Sequence, residues 1–330
     1  MRVMVGDIGG TNARLRIAVR ADGQWRVERE RAYPSRRYDG LAPIVREFLA
    51  EGNEPAPRSA CLAIAGPVRV GASHETVRVT NLPWEIDSRV LAQAIGFERV
   101  RLVNDFQAVG YGIEALDEQD LIVLQRGEPV AQGPCGVIGA GTGLGQAIMV
   151  WHGDHYHSIS TEGGHAEFGP TDDLQLELAR YLLEQEGHAS YELILSGHGL
   201  ARLYRFLRAR GTTPESPAVA RVIAEGDPAA AITNAAQRDR DPLALETIEL
   251  FVRVYGAQAG NLALTAGATG GVYIAGGIAP KILSQLQSEG FIEAFRNKAN
   301  MSHYVAAIPV RVVVNEAVGL LGAALVASRL

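Results

Sequence analysis

The sequence predicts an α/β protein of two related domains, each a mixed sheet flanked by helices. Three observations predict it. The chain opens with an apolar strand, a Gly/Thr-rich turn and a second strand (RVMVGDI, GGTN, ARLRIAV). The same order returns in the second half, where CGVI enters GAGTGLG and then QAIMVW. At 330 residues, with 47% hydrophobic and 21% charged content, the chain is too long for one core and ordinary for a globular protein.

The opening turn follows a strand that ends in Asp7. Gly9 and Gly10 let a backbone come close to something bulky, and Thr11 and Asn12 add short polar side chains. Successive N–H groups in such a turn can cradle an anion, and Asp7 suits a hydrated cation. The turn reads either as a phosphate clamp with its metal or as a plain Gly-Gly hairpin. Strands are then expected at Trp25–Ala32 and Arg58–Ala65, with a helix over 40–50 between them. A further strand follows at Thr76–Thr80, and a helix N-capped by Asp87 runs to about Ile95. Arg99–Val103 is a strand that delivers Asn104 and Asp105 to its C-terminal end, and residues 106–116 read as helix. This mix departs from the strict alternation of a dinucleotide-binding domain.

The domain change is placed near residue 110. This gives a small α/β domain over 1–110, completed by the C-terminal helix 316–330, and a large one over 111–315. In the large domain, strands are expected at Leu121–Leu124, Cys135–Ile138, Gln146–Trp151 and His155–Ser160. An amphipathic helix covers 172–186, capped at Thr171 or Asp172. The stretch 190–267 is nearly all helical. Val272–Ala275 is a strand that opens into Gly276-Gly277, with a helix from Pro280. Val310–Val314 is the last strand.

Composition excludes several chemistries. The only lysines are Lys281 and Lys298, so neither a Gly-Lys-Ser/Thr phosphate loop nor a Ser-x-x-Lys pair exists. A net charge of −6 gives no reason to expect nucleic acid or an acidic membrane surface. Cys61 and Cys135 sit in apolar runs and read as buried thiols. The N-terminus has no signal-peptide layout, and no apolar run approaches the ~18 residues of a membrane span. A cytoplasmic protein is expected.

Four constellations can carry chemistry. The turns GGT at 9–11 and GTG at 141–143 could grip one polyphosphate from two sides. GAGTGLG fails the dinucleotide fingerprint, since the last required glycine falls on Leu144 or Gln146 and the turn joins two strands. Asn104-Asp105 offers either a carboxylate to take a hydroxyl proton, with an amide to hold a neighbouring hydroxyl, or a helix cap. Glu162 and His165 flank two glycines and suit an internal pair, a polyol, or a metal if Glu167 or His157 joined them. Gly276-Gly277 lets a flat ring or phosphate lie on bare backbone, or is a plain strand-to-helix turn.

Together DIGGTNARL, AIAGPV, TNLPWEI, LVNDF, GAGTGLG, STEGGHAEF, YELILSGHGL and GGVYIAGGIAPK resemble the motif series of the bacterial glucokinase family, within the hexokinase/actin-like ATPase superfamily. The resemblance covers nearly the whole chain in order and spacing; the stretch 210–245 is its least family-like part. It implies a two-domain actin-like ATPase fold, a duplicated ribonuclease H-like motif with the active site in the interdomain cleft. It implies ATP-dependent phosphorylation of glucose at the 6-hydroxyl, with Asp105 as general base. It assigns sugar hydroxyls to Asn104, Glu162 and His165, and Glu192 to the same shell. Gly9, Gly10, Thr11, Asn12, Gly141, Thr142 and Gly143 would hold the phosphates, and Gly276 and Gly277 would border the adenosine. Asp7 would position Mg2+ through water. ATP and Mg2+ are the implied cofactors, and a homodimer is implied by analogy. The related ROK sugar kinases often carry a Cys-rich zinc motif beside their active-site His. Both cysteines here lie elsewhere, which argues against zinc and against ROK membership. Two alternatives remain: a kinase of another hexose or amino-hexose, and a silent sugar sensor on the same fold.

Overall fold

The structure, a computed structural model, describes all 330 residues. The first strand, β1 (Arg2–Ile8), alternates between two cores, as a strand buried on both faces must. Met4 and Ile8 join one core, and Val3 and Val5 join the other. After it come β2 (Asn12–Ala21), β3 (Gln24–Pro34), α1 (Leu41–Ala50) and β4 (Ser59–Ile64). Three short strands follow, β5 (Val68–Val70), β6 (Glu75–Arg78) and β7 (Glu85–Asp87), and form a small sheet of their own. Two of them, β5 and β7, have three residues each, too short for alternation to be read in sequence. Helix α2 (Ser88–Ile95) starts on the Asp87 carboxylate, which accepts the Arg89 and Val90 N–H groups at 2.9 and 3.0 Å. Then come β8 (Arg99–Asn104) and α3 (Asp105–Gly112).

The main sheet has the order β3-β2-β1-β4-β8. β1 runs antiparallel to β2 and parallel to β4, and β4 runs parallel to β8. One face packs on Leu41, Ile44, Val45 and Phe48 of α1; fully burying such side chains stabilises by roughly 1.5–3 kcal/mol each.

The second half supplies β9 (Leu121–Gln125), β10 (Cys135–Ala140), β11 (Leu144–His152) and β12 (His155–Thr161). Helices α4 (Asp173–Glu186), α5 (Gly197–Arg210), α6 (Pro217–Glu225), α7 (Pro228–Asn234) and α8 (Pro242–Ala266) follow, then β13 (Gly271–Ala275). The helix expected from Pro280 breaks into a 3-10 turn, Ala279–Ile282, and the short α9 (Leu283–Leu286). The chain continues through α10 (Glu289–Arg296), α11 (Ser302–Ala306), β14 (Val310–Val313) and α12 (Val318–Ser328).

The larger sheet has the order β12-β11-β10-β13-β14-β9. β10 is antiparallel to β11 and parallel to β13, which is parallel to β14. Strand for strand this repeats the first sheet, with β9 added antiparallel at one edge. The long α8 is buried almost all round, as a helix without a polar face must be. It meets α10 backbone to backbone: a Cβ on Gly256 or Gly260 would lie 2.1 or 2.4 Å from the Phe291 or Phe295 carbonyl.

The chain forms two compact units, Met1–Glu118 with Asp154–Ser160 and Asn315–Leu330, and Gln119–Gly153 with Thr161–Val314. Residue 110, the expected boundary, lies inside α3, and a 3-10 turn at Ile113–Ala115 extends that helix. The first unit keeps this segment because α3 packs directly on α12. A Cβ on Gly112 would sit 2.0 Å from the Val318 carbonyl, and one on Gly322 1.9 Å from the Ala108 carbonyl. Residues 154–160 belong with it through Gln107 Nε2, which donates to the Ser158 carbonyl at 2.7 Å, and Glu114, which accepts the Tyr156 N–H at 3.0 Å.

Candidate functional site

Each unit carries a cluster of the predicted residues at the C-terminal ends of its parallel strands, where open α/β sheets gather their ligands. In the first unit, β1 ends at Asp7 and Ile8, β4 lies alongside, and β8 ends at Asn104. The turn after β1 is held by neutral groups. The Gly9 N–H donates to the Asn12 carbonyl and the Ser35 N–H to the Thr11 carbonyl, both at 2.9 Å. The buried Ser35 hydroxyl donates to the Gly9 carbonyl at 2.8 Å. A Cβ on Gly10 would approach the Thr80 carbonyl to 3.0 Å, so TNLPW closes over the glycine turn. Thr11 and Asn12 are exposed.

Asn104 caps α3. Its Oδ1 accepts the Phe106 and Gln107 N–H groups at 2.9 and 3.1 Å, and its Nδ2 donates to the Gly66 carbonyl at 3.1 Å. Of the two readings of Asn104, the acceptor serves the helix cap, and one amide N–H is left for a hydroxyl. Asp105 has one oxygen on the Phe106 N–H at 2.8 Å. Its carboxyl is pushed above the ordinary carboxylate value, first by the protein crowding it and then by the charge of Asp7. Asp7 is pushed up by the same crowding, against the pull of Arg14. Both side chains stay solvent-accessible. This edge thus carries two carboxylates with little cationic compensation, which fits a hydrated divalent cation.

In the second unit, Gly141, Thr142 and Gly143 turn β10 into β11. The Gly141 N–H donates to the Gly143 carbonyl at 2.8 Å, and the Gly141 carbonyl accepts the Gly197 N–H from the start of α5 at 2.9 Å. Glu192 Oε2 accepts the Leu144 N–H at 2.9 Å. His165 lies near two carboxylates: Nε2 is 4.0 Å from Glu162 Oε2 and Nδ1 is 3.8 Å from Glu192 Oε1. Both exceed hydrogen-bond length, so the three side chains surround a space without saturating one another. The two glycines of this loop are required by packing: a Cβ on Gly164 would meet the Leu144 carbonyl at 2.2 Å, and one on Gly163 the Gln146 amide oxygen at 2.5 Å.

No group of three or more His, Cys, Asp or Glu side chains is arranged to hold a metal ion. Of the two residues considered as further ligands beside Glu162 and His165, Glu167 pairs with Ser190 through its backbone only, and the His157 ring faces the Tyr111 hydroxyl at 3.2 Å. Cys61 and Cys135 are buried and form no disulfide.

Gly276 and Gly277 follow β13 and differ in kind. Gly276 has φ +82 and would place a Cβ 2.5 Å from the Ala140 carbonyl, so the turn itself requires it. Gly277 has nothing within 4 Å of its Cβ position and presents bare backbone to open space. Beyond Pro280 lies a cavity of about 370 Å³ lined by Gln237, Arg240, Lys281, Ser284 and Gln285. Sequence reasoning missed Gln237 and Arg240, because the stretch 210–245 offers no motif. It also missed Tyr255. This fully buried hydroxyl accepts the Ala140 N–H at 3.2 Å and lies 3.3 and 3.4 Å from the Ile138 and Ala275 carbonyls. It thereby ties the ends of β10 and β13, from which both glycine turns of this unit depart.

Comparison with known proteins gives a consistent result. Residues 4–330 match the profile of the family described as Glucokinase. A glucokinase of Nostoc punctiforme is 43% identical over 342 residues, covering 99% of each chain. The solved glucokinase of an Antarctic psychrotroph superimposes with TM-score 0.86 at 33% identity, covering 100% of this chain and 99% of the other. A ROK-family glucokinase from Streptomyces griseus, solved with glucose and AMPPNP, shares the fold at TM-score 0.66 and 22% identity, with full coverage of both chains.

Proposed function

The chain belongs to the glucokinase family, phosphorylating D-glucose from ATP to give glucose 6-phosphate and ADP, and on that premise we propose how its residues divide the work. Asp105 is the general base. It takes the proton of the glucose 6-hydroxyl as that oxygen forms its bond to the γ-phosphorus; the bond to the β-phosphate oxygen breaks and ADP leaves. The observation that carries this assignment is a crowded, accessible carboxylate at the end of β8 with one oxygen anchored by a backbone N–H. A raised proton affinity makes a carboxylate a better base.

Asn104 offers its remaining amide N–H to a sugar hydroxyl. Glu162, His165 and Glu192 accept or donate to the others, and a sugar lacking one of these hydroxyls leaves a polar group unpaired. Gly9–Asn12 and Gly141–Gly143 hold the phosphates by backbone N–H groups. Gly277 and the cavity at Gln237, Arg240 and Lys281 take the adenosine. Mg2+ bound to ATP would neutralise phosphate charge, and Asp7 would hold its water shell. A cytoplasmic homodimer belongs to the same proposal and rests on family membership alone.

The test is a coupled assay with glucose against other hexoses and amino-hexoses, first with ATP and then with ADP or polyphosphate as donor. The proposal expects the highest kcat/KM for glucose with ATP. A higher kcat/KM for another hexose, or for another donor, would overturn the assignment of substrate or donor.

A further inference from the structure

We propose that Glu192 is a positioning residue for the turn Gly141–Gly143 as well as a sugar contact, so that glucose occupancy and nucleotide affinity are coupled through this one side chain. The proposal rests on the sugar and phosphate roles given above. Its basis is a closed circuit of hydrogen bonds within the second unit. At the C-terminal end of the turn, Glu192 Oε2 accepts the Leu144 N–H at 2.9 Å, and a Cβ on Gly143 would stand only 2.5 Å from that oxygen. At the N-terminal end, the Glu192 carbonyl accepts the Ser196 hydroxyl at 2.8 Å, and the next residue, Gly197, donates its N–H to the Gly141 carbonyl at 2.9 Å. The Gly141 N–H closes the circuit on the Gly143 carbonyl at 2.8 Å. Glu192 therefore grips both ends of the turn, one by its side chain and one through its own backbone.

The same residue is fixed to the sugar loop, because its N–H donates to the Gly164 carbonyl at 2.9 Å. Its second carboxylate oxygen is engaged by no protein donor at hydrogen-bond length: His165 Nδ1 stands 3.8 Å away. A sugar hydroxyl that donates to Oε1 restrains the carboxylate, and so holds Oε2 on the Leu144 N–H. The nucleotide then meets a turn already ordered, and less ordering entropy is lost on binding. Coupling of this kind is reciprocal, so ATP strengthens glucose binding by the same factor.

The experiment measures the Kd of a nonhydrolysable ATP analogue with and without saturating glucose, together with the Kd of glucose alone. The proteins are wild type, Glu192→Gln, Ser196→Ala and Ser196→Thr. Wild type is expected to bind the analogue at least about 5-fold tighter with glucose present, the lower end of ordinary allosteric coupling. Glu192→Gln has one acceptor oxygen where two donors need one, so it weakens glucose binding and abolishes the coupling even at saturating glucose. Ser196→Ala leaves the carboxylate in place, so glucose binds within about 2-fold of wild type while the coupling falls; Ser196→Thr keeps the hydroxyl and restores it. Wild-type coupling in Glu192→Gln with weakened glucose binding would overturn the coupling and leave the sugar role intact. Unchanged glucose affinity in that variant would overturn the sugar role itself. Absence of coupling in the wild type would overturn the proposal outright.

Discussion

The two glycine turns are built from similar residues and braced in different ways. The turn after β1 is held by a serine hydroxyl and by backbone groups, none of which ionises. The turn after β10 is held by a glutamate that also faces a histidine, and by the first residue of a helix. Duplication explains the shared frame, since each turn leaves the central strand of a sheet with the same strand order. The braces come from outside that repeat, from Ser35 beyond β3 and from the irregular segment between α4 and α5. The lesson is that the repeat sets where a turn sits, and unrelated neighbours set what it responds to.

Four substitutions break or sharpen this comparison. The largest effect is expected at Gly164, where a methyl would run into the Leu144 carbonyl beside the second turn. Backbone cannot retreat as a flexible side chain can, so Gly164→Ala should lose about 3 kcal/mol or more in denaturant unfolding. Tyr255→Phe comes next. It strips a partner from the buried Ala140 N–H and lets the ends of β10 and β13 drift; a loss of about 1–3 kcal/mol is expected, with a higher KM for ATP.

Ser35→Ala acts on the first turn alone. About 1 kcal/mol of stability should go with the bond to the Gly9 carbonyl. The KM for ATP should rise while the glucose Kd stays put. A matching change in glucose affinity would show that the first turn, too, is wired to the sugar.

The smallest effect is a displaced pH profile. Asp105 has its folded-state proton affinity raised, chiefly by crowding and in lesser part by Asp7. Between the ordinary value of 3.8 and the raised one, the folded protein binds more protons than the unfolded chain, so stability falls as pH rises through that window. The base is active when deprotonated, so the acid limb of kcat/KM should lie above 3.8. Asp7→Asn removes one like charge and should move that limb down slightly. An upward or absent shift would deny the interaction.

The elements legible in the sequence are those with a long enough pattern. The doubled strand–turn–strand unit and the Asp87 cap stand where periodicity and capping chemistry put them. Asn104 was legible twice over, as a cap and as a ligand, and the structure assigns its acceptor to the cap. What sequence spacing could not carry was contact across the sheet. Asp7 and Asp105 lie almost a hundred residues apart and feel each other because β4 alone separates β1 from β8. Glu192 stands in an irregular segment, and its partner Leu144 is 48 positions away. Gln237 and Arg240 sit in a stretch with no motif and enter only as walls of a cavity.

The most direct measurement is phosphoryl transfer from ATP to glucose by Asp105→Asn, followed in single turnover with glucose binding measured in parallel. An asparagine keeps the shape and cannot take the proton. The expected result is a rate lower by about 10²–10⁴-fold, with glucose affinity within a few-fold of wild type. Transfer at near wild-type rate would contradict Asp105 as the base.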